Sequence, residues 1–185
     1  MKYDVILADP PWAFEVWDKD TGQGRSAESH YSTMGIEELC ALPIRELAAD
    51  NCALFMWAVW PSLLDYPKMV FDAWEFNYRT IGFVWVKANK SGFGFFTGMG
   101  YYARANTEPC LLAVRGSMPV ARHDIQSLIY SPVREHSRKP DEQYAKIEKL
   151  YPGKRYLELF ARRKRAGWDS WGNEIESDLE IRVEK

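Results

Sequence analysis

The tetrapeptide Asp9-Pro10-Pro11-Trp12 directly follows a short apolar run, Val5-Ile6-Leu7-Ala8. The run reads as a buried strand, and the prolines end it because neither donates a ladder hydrogen bond. One carboxylate is left at the carboxyl end of that strand, where open α/β sheets bind their ligands. The arrangement suits methylation of an exocyclic amine on a flat base. The amine of adenine is a poor nucleophile because its lone pair is delocalised into the ring. A carboxylate and a carbonyl, each accepting one amine hydrogen, draw the nitrogen toward a tetrahedral shape and aim its lone pair at an electrophilic methyl group. The Asp9 side chain and the Pro10 carbonyl are the right types for those acceptors, with proline holding the carbonyl rigid. Trp12 is expected to stack on the base, held outside any duplex. The plainer reading is a strand followed by a rigid turn, so the motif is informative but insufficient alone.

Such a turn needs a sheet behind it. The 185 residues make one domain with room for a real core. Alternating strands and helices are expected. An amphipathic helix, broken in part by Pro43, spans 36–49. Strands are expected over 53–60, 79–87 and 109–115, a short one over 127–130, and a last one over 156–161. Pro61 starts a helix to about Phe76, and Pro140 starts another to Tyr151. The domain is expected over 1–173, followed by a charged tail, 174–185, that frays. Two connections, 19–32 and 88–107, are longer than usual. The second interleaves aromatics with Lys87, Lys90 and Arg104, as a single-strand nucleic-acid surface requires, although such aromatics are often partial core.

Hydrophobic residues make up 46% of the chain, enough for it to fold. The net charge of -2 gives no global nucleic-acid signature, so any such contact is local. Cys40, Cys52 and Cys110 are scattered, and His30, His123 and His136 lack ligand spacing, so no metal site is expected. There is no P-loop and no apolar run long enough to span a bilayer. A cytoplasmic protein is expected.

Four further segments join the first motif: His30-Tyr31-Ser32-Thr33-Met34, residues 134–142 (Arg-Glu-His-Ser-Arg-Lys-Pro-Asp-Glu), Glu158-Leu159-Phe160-Ala161-Arg162, and Gly167-Trp168-Asp169-Ser170-Trp171-Gly172-Asn173. In order and spacing the chain resembles the MT-A70 family of adenine N6-methyltransferases, from Tyr3 to about Glu176, and most closely its compact bacterial and phage members. The resemblance implies an α/β, Rossmann-like S-adenosylmethionine-dependent methyltransferase fold, a mostly parallel sheet flanked by helices. It implies that Asp9, Pro10, Pro11 and Trp12 hold the target amine, with Asp9 also near the cofactor's amino group. Lys139 matches the residue that pairs with the cofactor's carboxylate, where a solvated surface charge is the alternative. Glu158, Phe160 and Arg162 match the cofactor strand, with Ala161 in place of the usual glycine leaving slightly less room. Lys164 and Arg165 fall at ribose contacts, although residues 162–165 also read as a phosphate-binding patch or a solvated face. Asn173 and Glu174 match cofactor contacts, Tyr31 a gate-loop aromatic over the base, and Glu108 a position supporting the active-site loop. DNA is the expected polymer, RNA the alternative, and a non-catalytic nucleic-acid-presenting subunit a third reading. Specificity would come from the two long loops or from a partner subunit, or be low, and a homodimer is plausible.

Overall fold

The computed structural model describes residues 2–13, 33–98, 100, 102–135 and 138–182. The connection 19–32, with His30 and Tyr31, and also His136 and Ser137, lie outside the described residues. Strands β1 (Tyr3–Ala8), β2 (Ala48–Trp57), β3 (Asn77–Ala88), β4 (Thr107–Arg115), β5 (Leu128–Pro132), β6 (Tyr156–Leu159) and β7 (Trp168–Trp171) form one sheet. Its order is β5-β3-β4-β2-β1-β6-β7. β1 runs parallel to β2 and β6, β6 to β7, and β3 to β5. Among the described strands only β4 is antiparallel, inserted between β2 and β3. The chain is thus an α/β protein with a mostly parallel sheet.

β1 from Val5 onward and β2 from Cys52 onward are unbroken apolar runs because both of their faces are covered. Alternate side chains serve opposite faces. Ile6, Ala8, Leu54 and Met56 join one core, and Val5, Leu7, Ala53, Phe55 and Trp57 the other. Helices α1 (Ile36–Ala41), α2 (Ile44–Leu47) and α3 (Tyr66–Ala73) close the first through Leu39, Ile44, Val70 and Phe71. Helix α4 (Glu142–Leu150) closes the second through Tyr144 and Ile147.

Several expected elements differ. The helix expected over 36–49 is two, because Pro43 interrupts it, and residues 48–49 already belong to β2. The helix expected from Pro61 begins at Tyr66, with Pro67 in its first turn; Trp60–Ser62 is a separate 3-10 turn. β3, β4 and β5 follow one another without helices between them, and β7 was not expected. Residues 174–182 do not fray. The Asp178 carboxylate accepts from the Ser170 amide at 2.9 Å and from Lys164 at 2.6 Å, while Leu179 and Ile181 rest against the first core.

The chain leaves β1 for β2 on one side and returns at β6 on the other. A crevice opens where strand order reverses, outside the carboxyl ends of β1 and β6. Gly172 holds the end of β7 close to the end of β6: the Ala161 amide donates to Trp171 O at 2.9 Å, and a Cβ on Gly172 would lie 2.1 Å from Ala161 O. Gly172→Ala is expected to destabilise the protein by about 1–3 kcal/mol and to lower Tm by several degrees in thermal unfolding. An unchanged Tm would show that the backbones are not in forced approach.

Candidate active site

The turn after β1 is pinned at several points. The Trp12 amide donates to Pro10 O at 2.8 Å, and the Met34 amide to Pro11 O at 2.9 Å. The Trp12 indole Nε1–H donates to Trp57 O, at the end of β2, at 2.9 Å. Trp12 is only 4% exposed and belongs to the first core. Its expected stacking on a base is therefore corrected: in this conformation the ring is a strut between β1 and β2. Pro10 O keeps a second lone pair for another donor.

Behind the turn runs a chain of alternating charges. Lys139 Nζ lies 2.9 Å from each Asp9 carboxylate oxygen and 3.3 Å from Glu108 Oε2. Glu108 Oε1 accepts from Lys87 Nζ at 2.5 Å. Lys139 is not a solvated charge, since its side chain is 9% exposed and its ammonium lies 5.7 Å from the Trp57 ring centroid. Nor does Lys87 belong to an open nucleic-acid surface, because its side chain is turned inward onto Glu108 at 17% exposure. Burial pushes the Asp9 carboxyl up from its ordinary value, and the Lys139 ammonium opposes that rise. Burial also works against the charge of Glu108, but Lys139 and Lys87 outweigh it and hold that carboxyl below the usual range. Lys139 is likewise opposed by burial yet raised by Asp9 and Glu108.

Asp9 opens onto a cavity of about 300 Å³. Five other expected residues share its wall: Lys139, Glu158, Phe160, Arg162 and Glu174. The Tyr144 hydroxyl lies 2.9 and 3.0 Å from the two Glu158 oxygens, donating to that carboxylate. Burial, and secondarily the Asp9 charge, push Glu158 up to about 7. Phe160 turns the chain with a φ of 61°, a left-handed conformation that costs a side-chain-bearing residue free energy. Its ring meets Trp171 edge-on at 5.4 Å. Arg162 donates to Glu174 at 2.8 Å.

Other expected residues lie elsewhere. Lys164 is paired with Asp178, and Arg165 with Glu148, its guanidinium 4.5 Å from the Tyr144 ring centroid; neither lines the cavity. Arg163 lines it instead and pairs with Asp141. Each of the four cations at 162–165 thus has an acidic partner, which corrects the reading of an open phosphate patch. Ala161 is buried beneath Gly172 rather than on the cavity wall, so its methyl group takes no room there. Asn173 is exposed beside Glu174, and Arg104 is exposed on the long loop with Phe93, Phe95 and Tyr102. Tyr31 lies outside the described residues.

Sequence reasoning missed Arg138, Gln143, Tyr144 and Arg163 on the cavity wall. Gln143 and Tyr144 open the face of α4 that meets β6, and Gln143 Oε1 accepts from the Trp57 indole at 2.6 Å. Buried polar groups in the first turn of an otherwise apolar helix face were the available signal. The wall mixes carboxylates with lysine and arginine, a set able to hold a zwitterion and hydroxyl groups. Among the described residues, no group of three His, Cys, Asp or Glu gathers to hold a metal, and no helix is long and apolar enough to cross a membrane.

The family model described as MT-A70 matches residues 3–174. The chain is 33% identical over 197 residues to the Type II methyltransferase M.MunI of a Mycoplasma species, covering 97% of this chain and 81% of that protein. It is 35% identical to the putative N(6)-adenosine-methyltransferase MT-A70-like of Medicago truncatula, covering 94% of this chain and 26% of the relative. It is 31% identical to the human N(6)-adenosine-methyltransferase catalytic subunit METTL3, covering 95% of this chain and 28% of the relative. The chain thus spans about a quarter of the length of these eukaryotic relatives.

Glu158 gives the site a pH signature. Its folded value near 7 lies above its ordinary 4.5, so the folded state binds its proton more tightly. Its contribution is fully present below about pH 4.5 and is lost as pH rises through 7, a difference of up to roughly 3 kcal/mol. Glu158→Gln is expected to flatten the fall in Tm between pH 5 and pH 8. Parallel Tm profiles for the variant and the parent would contradict the raised value.

Proposed function

The chain belongs to the MT-A70 family, and from that premise we propose that it transfers a methyl group from S-adenosylmethionine to the N6 amine of adenine in DNA. One observation carries the reading: the Asp9 carboxylate, fixed by Lys139 after β1, faces a cavity whose other wall is β6 and the turn after it. In a Rossmann-like sheet this is the crevice that binds the cofactor. The side chains there suit that molecule. Glu158 and Glu174 offer acceptors to ribose hydroxyls, Lys139 and Arg138 offer positive charge to the carboxylate, and Asp9 and Glu135 offer negative charge to the ammonium group. The cavity volume lies at the lower end of the range for ligand sites.

S-adenosylmethionine supplies a methyl group on a positively charged sulfur, which departs as a neutral thioether. The Asp9 carboxylate and the remaining lone pair of Pro10 O each accept one hydrogen of the adenine amine, which turns the nitrogen lone pair toward the methyl carbon. Once the carbon–nitrogen bond has formed, a proton leaves the nitrogen for Asp9 or water. Asp9 has to be ionised to accept, and Lys139 favours that form against burial. Because the prolines and Trp12 hold the turn before substrate arrives, little reorganisation remains for the reaction itself.

DNA is preferred because the type II methyltransferase is matched over most of both chains, whereas the proteins named for adenosine are matched over about a quarter of theirs. Those names support RNA as the second reading. The test offers labelled S-adenosylmethionine with double-stranded DNA, single-stranded DNA or RNA, each digested afterwards to nucleosides. Label is expected in N6-methyldeoxyadenosine; label only in N6-methyladenosine would move the substrate to RNA. Asp9→Ala and Asp9→Asn are expected to lose at least ~100-fold in rate while Asp9→Asn keeps a native circular dichroism spectrum. A folded, fully active Asp9 variant would sink the mechanism.

A further inference from the structure

The far end of the half-buried charge chain, Lys87, has no part in that chemistry. Lys87 lies on β3, separated from β1 by β4 and β2. Its ammonium reaches Glu108 Oε1 and lies 5.1 Å from the Trp85 ring centroid. The order Lys87, Glu108, Lys139, Asp9 alternates in sign and sums to zero. Lys139 is shared unequally between its two carboxylates, nearer to Asp9 at 2.9 Å than to Glu108 at 3.3 Å.

We propose that Lys87 is a positioning residue for Asp9: by neutralising Glu108 from the far side, it leaves Lys139 centred on the Asp9 carboxylate. Without Lys87 the cluster would hold two carboxylates and one ammonium in a largely water-excluded place. Such a cluster relieves its excess charge either by drawing Lys139 toward Glu108 or by binding a proton on the less compensated carboxylate. Once Lys139 moves toward Glu108, Asp9 becomes the less compensated carboxylate and takes the proton, and a protonated Asp9 no longer accepts a hydrogen from an amine. A proton taken by Glu108 alone would leave the Asp9 midpoint unmoved. Asp9 is also faced by Cys110 on β4, by Glu158 on β6, by Tyr144 on α4 and by Arg162 after β6. None of these residues is substituted in the Lys87 variants, so an Asp9 midpoint moved by Lys87→Met originates in the Lys87–Glu108–Lys139 cluster.

The kinetic part of this inference rests on the methyltransferase reading, whereas the titration part does not. The test compares Lys87→Met, Lys87→Arg and the charge-balanced pair Lys87→Met with Glu108→Gln. Methyl-transfer rates are read beside the titration of the Asp9 carboxyl by carbon-13 NMR in aspartate-labelled protein. Lys87→Met is expected to lower kcat about tenfold with KM for nucleic acid within about twofold, and to raise the Asp9 midpoint by roughly one pH unit. Lys87→Arg and the double variant are expected to recover most of both losses, and the double variant stands in where Lys87→Met does not fold. Three results would overturn the proposal: an unmoved Asp9 midpoint in Lys87→Met, a raised KM with kcat intact, or a double variant no better than the single one. A parent protein inactive on every adenine substrate would instead defeat the methyltransferase reading, while the titration still decides the role of Lys87.

Discussion

An ionised carboxylate at the end of a buried strand is expensive unless a positive charge meets it. Asp9 is such a group, and much of the molecule answers to it. The compensating ammonium comes from Lys139, just before α4, more than a hundred residues along the chain. Lys139 is itself taken from water and is held by a second carboxylate from β4, which is in turn held by a lysine from β3. Four segments distant in sequence must therefore be brought to one edge of the sheet. The antiparallel insertion of β4 achieves this. Parallel strands finish at that edge, and only a reversed strand begins there, so Glu108, second in β4, arrives beside Lys87, near the end of β3.

The backbone around the site supports the same end. The turn through Pro10 and Pro11 has few conformations open to it, and Trp12 ties it to the last residue of β2. The opposite wall is equally constrained. Phe160 takes a left-handed conformation directly after β6, and the adjoining Ala161 lies against Gly172 at a distance that admits no side chain. The cavity is thus bounded by two short turns on adjacent parallel strands, each fixed by the strand beyond it.

Much of this was legible in the chain itself. Unbroken apolar runs marked β1, β2 and β4, because strands covered on both faces have no polar side to show. The first motif and the segment from Glu158 to Arg162 gave both walls of the cavity. What escaped was non-local. Nothing in the residues of β4 states its direction, since strand composition is the same either way round. The run at 162–165 reads as a concentration of positive charge, but its acids stand at 141, 148, 174 and 178, and only folding brings them together. Trp12 and Lys87 were misjudged for a similar reason: an aromatic or a lysine looks alike in sequence whether it faces a ligand or a neighbouring strand.

The two borders of the sheet are unequal. Beyond β7, the Asp178 amide donates to Ser170 O at 2.9 Å and its carboxylate accepts from the Ser170 amide, so the last described segment occupies outward hydrogen-bonding positions of that strand. β5, at the other border, carries exposed Leu128 and Tyr130. A sheet with both borders open can recruit copies of itself without limit. With the β7 border occupied by the chain's own segment among the described residues, strand pairing cannot pass through both borders of the sheet, and growth of a fibre by edge pairing has nowhere to continue.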